Sequence, residues 1–153
     1  MKHMLEAIDA FLHLLRNAPA DVQERECALA AALDRLACAL HDLPAGEVAD
    51  DWESQPAPPG WPYSERSELA SKAFPELGLY PWSDPLGKVD DDPMMCDAID
   101  DLADIAGDLA AAAWIWRNVG AKSAQWQLHF DHDAHWGAHL YSLRAYLHAV
   151  IGG

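Results

Sequence analysis

Hydrophobic positions in the first part of the chain repeat at helical spacing. Between Leu5 and Leu15 an apolar residue recurs every three or four positions, which predicts an amphipathic helix over about residues 2–17. The same spacing from Val22 to Leu43 predicts a second helix. A pattern of this kind is typical of the buried seam between packed helices.

The helical pattern resumes after Pro93. It predicts a long helix through Trp116, a turn near Gly120, and a final helix from about Ser123 to Val150. The two C-terminal helices are therefore expected to be antiparallel neighbours joined by a short turn.

Residues 44–93 differ in composition from the rest of the chain. They contain nine of the ten prolines, which break regular structure, and one short helix is predicted from about Ser64 to Ala73. Three tryptophans indicate that the segment packs against the helices: Trp52, Trp61 and Trp82.

These elements predict one helical domain over residues 1–153. A helical hairpin over 1–43 is followed by a Pro/Trp-rich crossover over 44–93 and a second helical hairpin over 94–153. The expected fold is all-α, a four-helix bundle of up-down hairpins with its long crossover between helices two and three.

The net charge of the chain indicates which kinds of binding partner are favoured and which are disfavoured. Ten Lys and Arg against 25 Asp and Glu give a formal net charge of −15, which repels nucleic acid and anionic membrane surfaces. A basic protein is the partner that this charge favours, and the alternative is that the acidity serves solubility alone. A monomer or a homodimer is expected.

Cysteine usage and the short apolar runs indicate a cytoplasmic protein. Cys27, Cys38 and Cys96 are widely spaced and form no CxxC pattern, which predicts buried thiols and argues against a disulfide framework or a zinc knuckle. Glu6 and Asp9 interrupt the N-terminal apolar residues, so no signal peptide is expected. No run approaches the length of a membrane span.

Two rows of polar residues face each other across the predicted turn. The first row is Asp101, Asp104 and Asp108, and the second is His132, His135 and His139. In an antiparallel pair that turns near Gly120, residue 120−n is level with 120+n. His132 is therefore expected opposite Asp108, and His139 opposite Asp101.

Helical-wheel positions assign the two rows to different environments. The aspartates, with Asp97, centre roughly 130° from the apolar face of their helix, which predicts a solvated or rim face. The histidines lie within about 40° of the apolar stripe of theirs, which predicts that they face inward. Inward histidines are interpreted as a hydrogen-bonded structural network or, alternatively, as metal ligands.

Glu26 occupies an apolar seam position of the second predicted helix. A buried carboxylate requires a partner, and an inward histidine is a suitable one. The alternative is that the first turn of this helix extends beyond the core, which leaves Glu26 in water.

Complete catalytic signatures are missing from the sequence. The Glu-x-x-His pairs of di-iron bundles, a phosphate-binding Gly-rich loop and a Gly-x-Ser-x-Gly elbow do not occur.

The C-terminal pattern resembles that of the domain-of-unknown-function family 5063, a group of uncharacterised bacterial proteins. The resemblance covers about the last 70 residues and includes Asp84-Pro85 within the segment from Tyr80, and Trp126. It rests mainly on two stretches, Asp100-Asp101-Leu102-Ala103-Asp104-Ile105 with Asp108-Leu109, and His135-Trp136-Gly137-Ala138-His139-Leu140.

The resemblance implies a helical fold but no activity. It implies that Asp101, Asp104, Asp108, His135, Trp136 and His139 are positions shared with the family. His132 stands where the family pattern has an aromatic residue, which weakens a three-histidine site.

Two functional hypotheses follow. The favoured one is a non-catalytic acidic protein without a cofactor that sequesters or neutralises a basic protein, as immunity or inhibitor proteins do. The expected contact residues are Asp84, Asp90, Asp91, Asp92, Asp97, Asp101, Asp104 and Asp108.

The alternative is a metal-binding helical-bundle protein that hydrolyses phosphorylated small molecules with a divalent ion. The expected ligands are Asp101, Asp104, Asp108, His135 and His139, with Glu26 and His132 as further candidates.

Overall fold

Two antiparallel helices form the N-terminal part of the protein in a computed structural model that describes residues 2–153. Helix α1 spans Lys2–Arg16 and α2 spans Val22–His41, close to the bounds that the apolar spacing predicts. The side chain of Asp21 caps α2 by accepting a hydrogen bond from the backbone N–H of Glu24 at 2.8 Å.

The crossover contains more regular structure than its prolines predict. A 3₁₀ turn at Trp52–Ser54 precedes helix α3 at Tyr63–Ala73, which matches the predicted short helix. Strand β1 (Leu79–Trp82) then pairs antiparallel with β2 (Met94–Asp97), which lies just beyond the crossover, where the long helix was expected to begin. Neither strand is predicted from the sequence, because four-residue strands are too short for a recognisable alternation.

In the C-terminal half, a long helix is followed by a shorter helix, a π-helical turn and a final helix. Helix α4 spans Ala98–Asn118, and α5 spans Ala121–Asp131. A π-helical turn at His132–Trp136 joins α5 to α6, which spans Gly137–Gly152. The final helix predicted from the sequence is therefore divided by a wider turn.

The core lies where α4 packs against α1, α3, α5 and α6, and where α2 packs against α1 and α6. Trp136, in the π turn, is fully buried and donates its indole N–H to the carbonyl of Leu128 at 3.3 Å. The prediction of a mainly helical protein is confirmed. No helix in the described part of the chain is long and apolar enough to cross a bilayer.

The prediction of buried cysteines is wrong, because none of the three is fully buried. Cys27 and Cys38 are exposed and Cys96 is half-buried. Both exposed thiols lie outside the buried seam of α2, which is formed mainly by leucine and alanine.

Candidate metal centre

Aspartates of α4 meet two histidines, one in the π turn and one on α6, in two matched pairs. His135 Nδ1 lies 2.6 Å from Asp108 Oδ2, and His139 Nδ1 lies 2.7 Å from Asp101 Oδ1. A carboxylate only accepts when ionised, so the proton of each neutral imidazole is held on Nδ1. The Nε2 lone pair of each histidine is then available to a ligand.

Both Nε2 atoms face the same oxygen of Asp104. Asp104 Oδ2 lies 3.5 Å from His135 Nε2 and 3.3 Å from His139 Nε2, in contacts that lack hydrogen-bond geometry. The three ligand atoms all lie within 4.8 Å of one another. Two ligands bound about 2.1 Å from a tetrahedral metal would be about 3.4 Å apart, so these separations suit a common ion.

Asp101 is the buried anchor of this arrangement. Its residue exposure is only 3%, and Oδ2 accepts a hydrogen bond from the hydroxyl of Tyr80 on β1. The Tyr80 hydroxyl also lies 2.9 Å from Ser142 Oγ, and its ring stacks on Tyr146 with centroids 4.5 Å apart. The strand pair therefore fixes the carboxylate that orients His139.

Hydrogen bonding and burial perturb two pKa values at this anchor. The hydrogen bond to Asp101 raises the pKa of His139, against the opposing effect of its burial. Desolvation, followed by the hydrogen bond to Asp101, raises the pKa of Tyr80, so the phenol remains a proton donor at neutral pH.

Arg66 of α3 supplies a positive charge on the other side of Asp104. Its Nη1 donates to the Ala103 carbonyl at 2.6 Å and lies 3.8 Å from Asp104 Oδ1, while Nε donates to the Trp61 carbonyl at 3.1 Å. Sequence reasoning missed both Arg66 and Tyr80, because they lie on elements distant in sequence from the two rows.

Tyr63 extends the polar network on the same helix. Its hydroxyl donates to Asp100 Oδ1 at 2.5 Å, and this bond raises the pKa of Tyr63 to about 12.

The π turn removes His132 from the centre. Its Nδ1 lies 3.1 Å from Asp133 Oδ1, and its Nε2 lies 3.3 Å from the Tyr141 hydroxyl. A π turn closes between residues i and i+5 and advances less per residue than an α turn, so three residues no longer bring His132 near the face of His135. The expected pairing of His132 with Asp108 is wrong, whereas the pairing of His139 with Asp101 is observed.

The predicted environments of the two rows are also wrong in part. Asp101 is buried and Asp104 and Asp108 are half-buried, whereas His135 keeps 45% of its side chain exposed. The prediction rested on the positions of apolar side chains within each helix. Those positions carry no information about hydroxyl and imidazole donors on other elements, which allow a carboxylate to face inward.

Glu26 is buried, at 8% exposure, but it does not reach the histidines. The Arg144 guanidinium contacts Asp34 at 2.7 Å, and His129 Nε2 lies 2.9 Å from the Leu43 carbonyl, so α2 and the last helices are antiparallel. Glu26 is therefore level with the C-terminal end of α6. No hydrogen bond in residues 2–153 joins its carboxylate to a histidine.

The remaining predicted contact residues are separate from this cluster. Asp97 caps α4 by accepting from the Ile99 N–H at 2.9 Å. The other four are exposed in the loop that joins β1 to β2: Asp84, Asp90, Asp91 and Asp92.

The overall fold is shared with a solved protein. The crystal structure of protein BF1032 from Bacteroides fragilis is similar to this chain with a TM-score of 0.76. The similarity covers 97% of this chain and 90% of that one at 15% sequence identity, which shows the fold alone. No protein-family model matches the sequence, and no curated protein matches it.

Proposed function

We propose that the protein binds one divalent transition-metal ion through Asp104, His135 and His139. The observation that carries the proposal is the direction of the two imidazoles, whose Nδ1 atoms are held by separate carboxylates and whose Nε2 atoms face one oxygen of Asp104. In metal centres, a carboxylate often accepts a hydrogen bond from the ring nitrogen of a ligating histidine that does not bind the metal. This hydrogen bond fixes the orientation of the ring and raises its basicity.

The donor set favours zinc or iron(II) over magnesium or calcium. Two imidazole nitrogens and one carboxylate oxygen form a borderline set, whereas magnesium and calcium prefer oxygen ligands alone. Three protein ligands leave a coordination position for water, and the exposed side of His135 provides access from solvent.

Metal content and calorimetry test this proposal directly. The purified protein is expected to retain or to bind about one zinc ion per chain, and a His135→Ala, His139→Ala double variant is expected to lose it. His132→Ala is the matched control, because this histidine lies on the same helical segment but outside the centre. Unchanged zinc binding in the double variant would refute the proposal.

Hydrolysis of phosphorylated small molecules is the activity that we propose for this centre. A bound metal lowers the pKa of coordinated water and stabilises charge on a phosphoryl oxygen. Arg66, close to Asp104, supplies a second positive charge. Zinc-dependent release of phosphate from an aryl phosphate, lost in the double variant, is the expected result.

A second candidate function is binding of a basic protein through the β1–β2 loop. This loop combines four exposed aspartates with two apolar side chains that are almost completely exposed, Leu86 and Val89. Exposed aliphatic side chains inside an acidic surface are typical of a contact site. The partner would be cationic, and its binding would weaken with salt.

Charge-matched variants separate this function from general acidity. Replacing Asp90, Asp91 and Asp92 with asparagine is expected to abolish salt-sensitive capture of a protein of high isoelectric point. The control replaces Asp50, Asp51 and Glu53, which are also exposed, with their amides. Equal loss in both triple variants, or capture that salt does not weaken, would refute a specific site.

We also infer that the four long helical units form a four-helix bundle, as the sequence pattern predicts. Contacts of α1 with α2, α4 with α5, and α6 with both α2 and α4 support this description. The resemblance of the C-terminal half to the domain-of-unknown-function family 5063 stays a proposal, supported by the residues on which it rests.

A further inference from the structure

A pocket of about 510 Å³ lies beside the proposed metal centre, between the crossover and α4. Its volume is in the usual range for small-molecule sites. Two lining residues, Arg66 and Asp108, also belong to the centre. Most other lining residues are apolar, and they include Pro58, Pro59, Trp61 and Trp114.

Arg66 is the cationic residue of this pocket, and its charge is only loosely paired. Its side chain is 16% exposed, and its ionic contact with Asp104 is 3.8 Å long, beyond hydrogen-bond distance. Nη1 and Nε donate to two backbone carbonyls, and Nη2 makes no hydrogen bond within residues 2–153. A guanidinium with unused donors is suited to a carboxylate or phosphate group.

The other charged lining residue, Asp108, offers no donor to the pocket, because an ionised carboxylate only accepts hydrogen bonds. Its carboxylate already accepts the hydrogen bond from His135 Nδ1 at 2.6 Å. An anion that enters the pocket would therefore pair with Arg66.

Gly107 makes the position of Arg66 possible. It lies in the interior of α4, where glycine is less favourable than alanine by about 1 kcal/mol. A Cβ at this position would overlap the guanidinium of Arg66. Helix α4 thus has a residue of low helix propensity, Gly107, at the point where the guanidinium of Arg66 lies against it.

We propose that this pocket binds a small molecule with a planar apolar body and one terminal oxyanion, a carboxylate or a phosphate. The tryptophans and prolines contact the body, and the guanidinium of Arg66 binds the oxyanion. The role of this molecule as a substrate rests on the proposed metal function, whereas its binding to the pocket does not.

Calorimetric titration with phenyl phosphate, benzoate, phenol and inorganic phosphate tests the proposal on metal-free and zinc-loaded protein. One or both aromatic oxyanions are expected to bind at least about tenfold more tightly than phenol, since a hydrogen bond to a charged group is worth that much. Benzoate and phenyl phosphate distinguish a carboxylate ligand from a phosphate ligand. Inorganic phosphate is expected to bind more weakly than the preferred aromatic oxyanion, because it has no apolar body.

Two variants and one control identify the cation. Arg66→Met is expected to remove the preference for the oxyanion over phenol. Gly107→Ala retains the charge but displaces the guanidinium, and it is expected to weaken oxyanion binding even if Arg66→Met fails to fold. Arg144→Met is the control, because that residue pairs with Asp34 on another surface.

The proposal is overturned if phenol binds as tightly as both aromatic oxyanions, if inorganic phosphate matches them, or if a folded Arg66→Met protein keeps the preference. Failure of the metal function gives a different result. In that case zinc does not bind, while the Arg66-dependent preference persists in the metal-free protein.

Discussion

Replacing Asp101 with alanine tests whether the buried carboxylate is a structural anchor of the metal-free protein. The substitution removes an acceptor from Tyr80 and from His139 Nδ1. Each hydrogen bond to a charged group contributes about 1.5–3 kcal/mol. Tyr80 can redirect its proton to Ser142 Oγ at 2.9 Å, and the partly exposed His139 can bond to water, so part of this free energy is recovered.

The expected net loss is about 2–4 kcal/mol in the free energy of unfolding, or about 5–15 °C in Tm for a chain of this length. Urea unfolding followed by circular dichroism in the presence of EDTA measures it. Asp104→Ala is the control and is expected to lose less than about 1 kcal/mol, because Asp104 is half-buried and its contacts are long. A loss below about 1 kcal/mol for Asp101→Ala, or equal losses for both variants, would contradict the anchor role.

Four further outcomes are expected. Asp108→Ala should weaken zinc binding about 10–100-fold in calorimetry by releasing the imidazole that Asp108 orients, whereas His132→Ala should leave it unchanged. Zinc affinity should rise with pH through the pKa of His139, which its hydrogen bond to Asp101 holds above the ordinary 6.5. In the metal-free protein the same pair should stabilise the fold fully below about 6.5 and lose this contribution as pH rises through the raised pKa. Gly46→Ala should lower Tm in a thermal melt, because Gly46 has φ +74° and alanine in that conformation costs about 1–2 kcal/mol, while its Cβ would also overlap the backbone of α5.

Apolar spacing predicted the bounds of α1 and α2 closely, because each of these helices buries apolar residues along most of its length. It also placed His139 level with Asp101, since the short turn between α4 and α5 fixes the axial register of the pair. The rotation of the last helices about their own axes, which decides which side chains face α4, was not predictable from this spacing. The π turn at His132–Trp136 changes the rotation of the residues around it, and no apolar pattern in the sequence reports such a turn.

Site residues that are distant in sequence from the aspartate and histidine rows were also not predictable. Tyr80 reaches Asp101 from a strand that was not predicted, and Arg66 reaches Asp104 from the short helix of the crossover. One local feature of the sequence is consistent with the approach of Arg66 to α4. Gly107 interrupts an alanine-rich helix that has no turn there, which indicates that another group approaches its backbone closely.

Crystallography of the zinc-loaded protein tests the central claim most directly. An anomalous difference map at the zinc edge is expected to show one peak per chain, about 2.0–2.2 Å from Asp104 Oδ2 and from the Nε2 atoms of His135 and His139. Asp101 and Asp108 should remain bonded to the Nδ1 atoms, outside the ligand set. A map without this peak, or with zinc bound only at the acidic β1–β2 loop, would contradict the proposed metal centre.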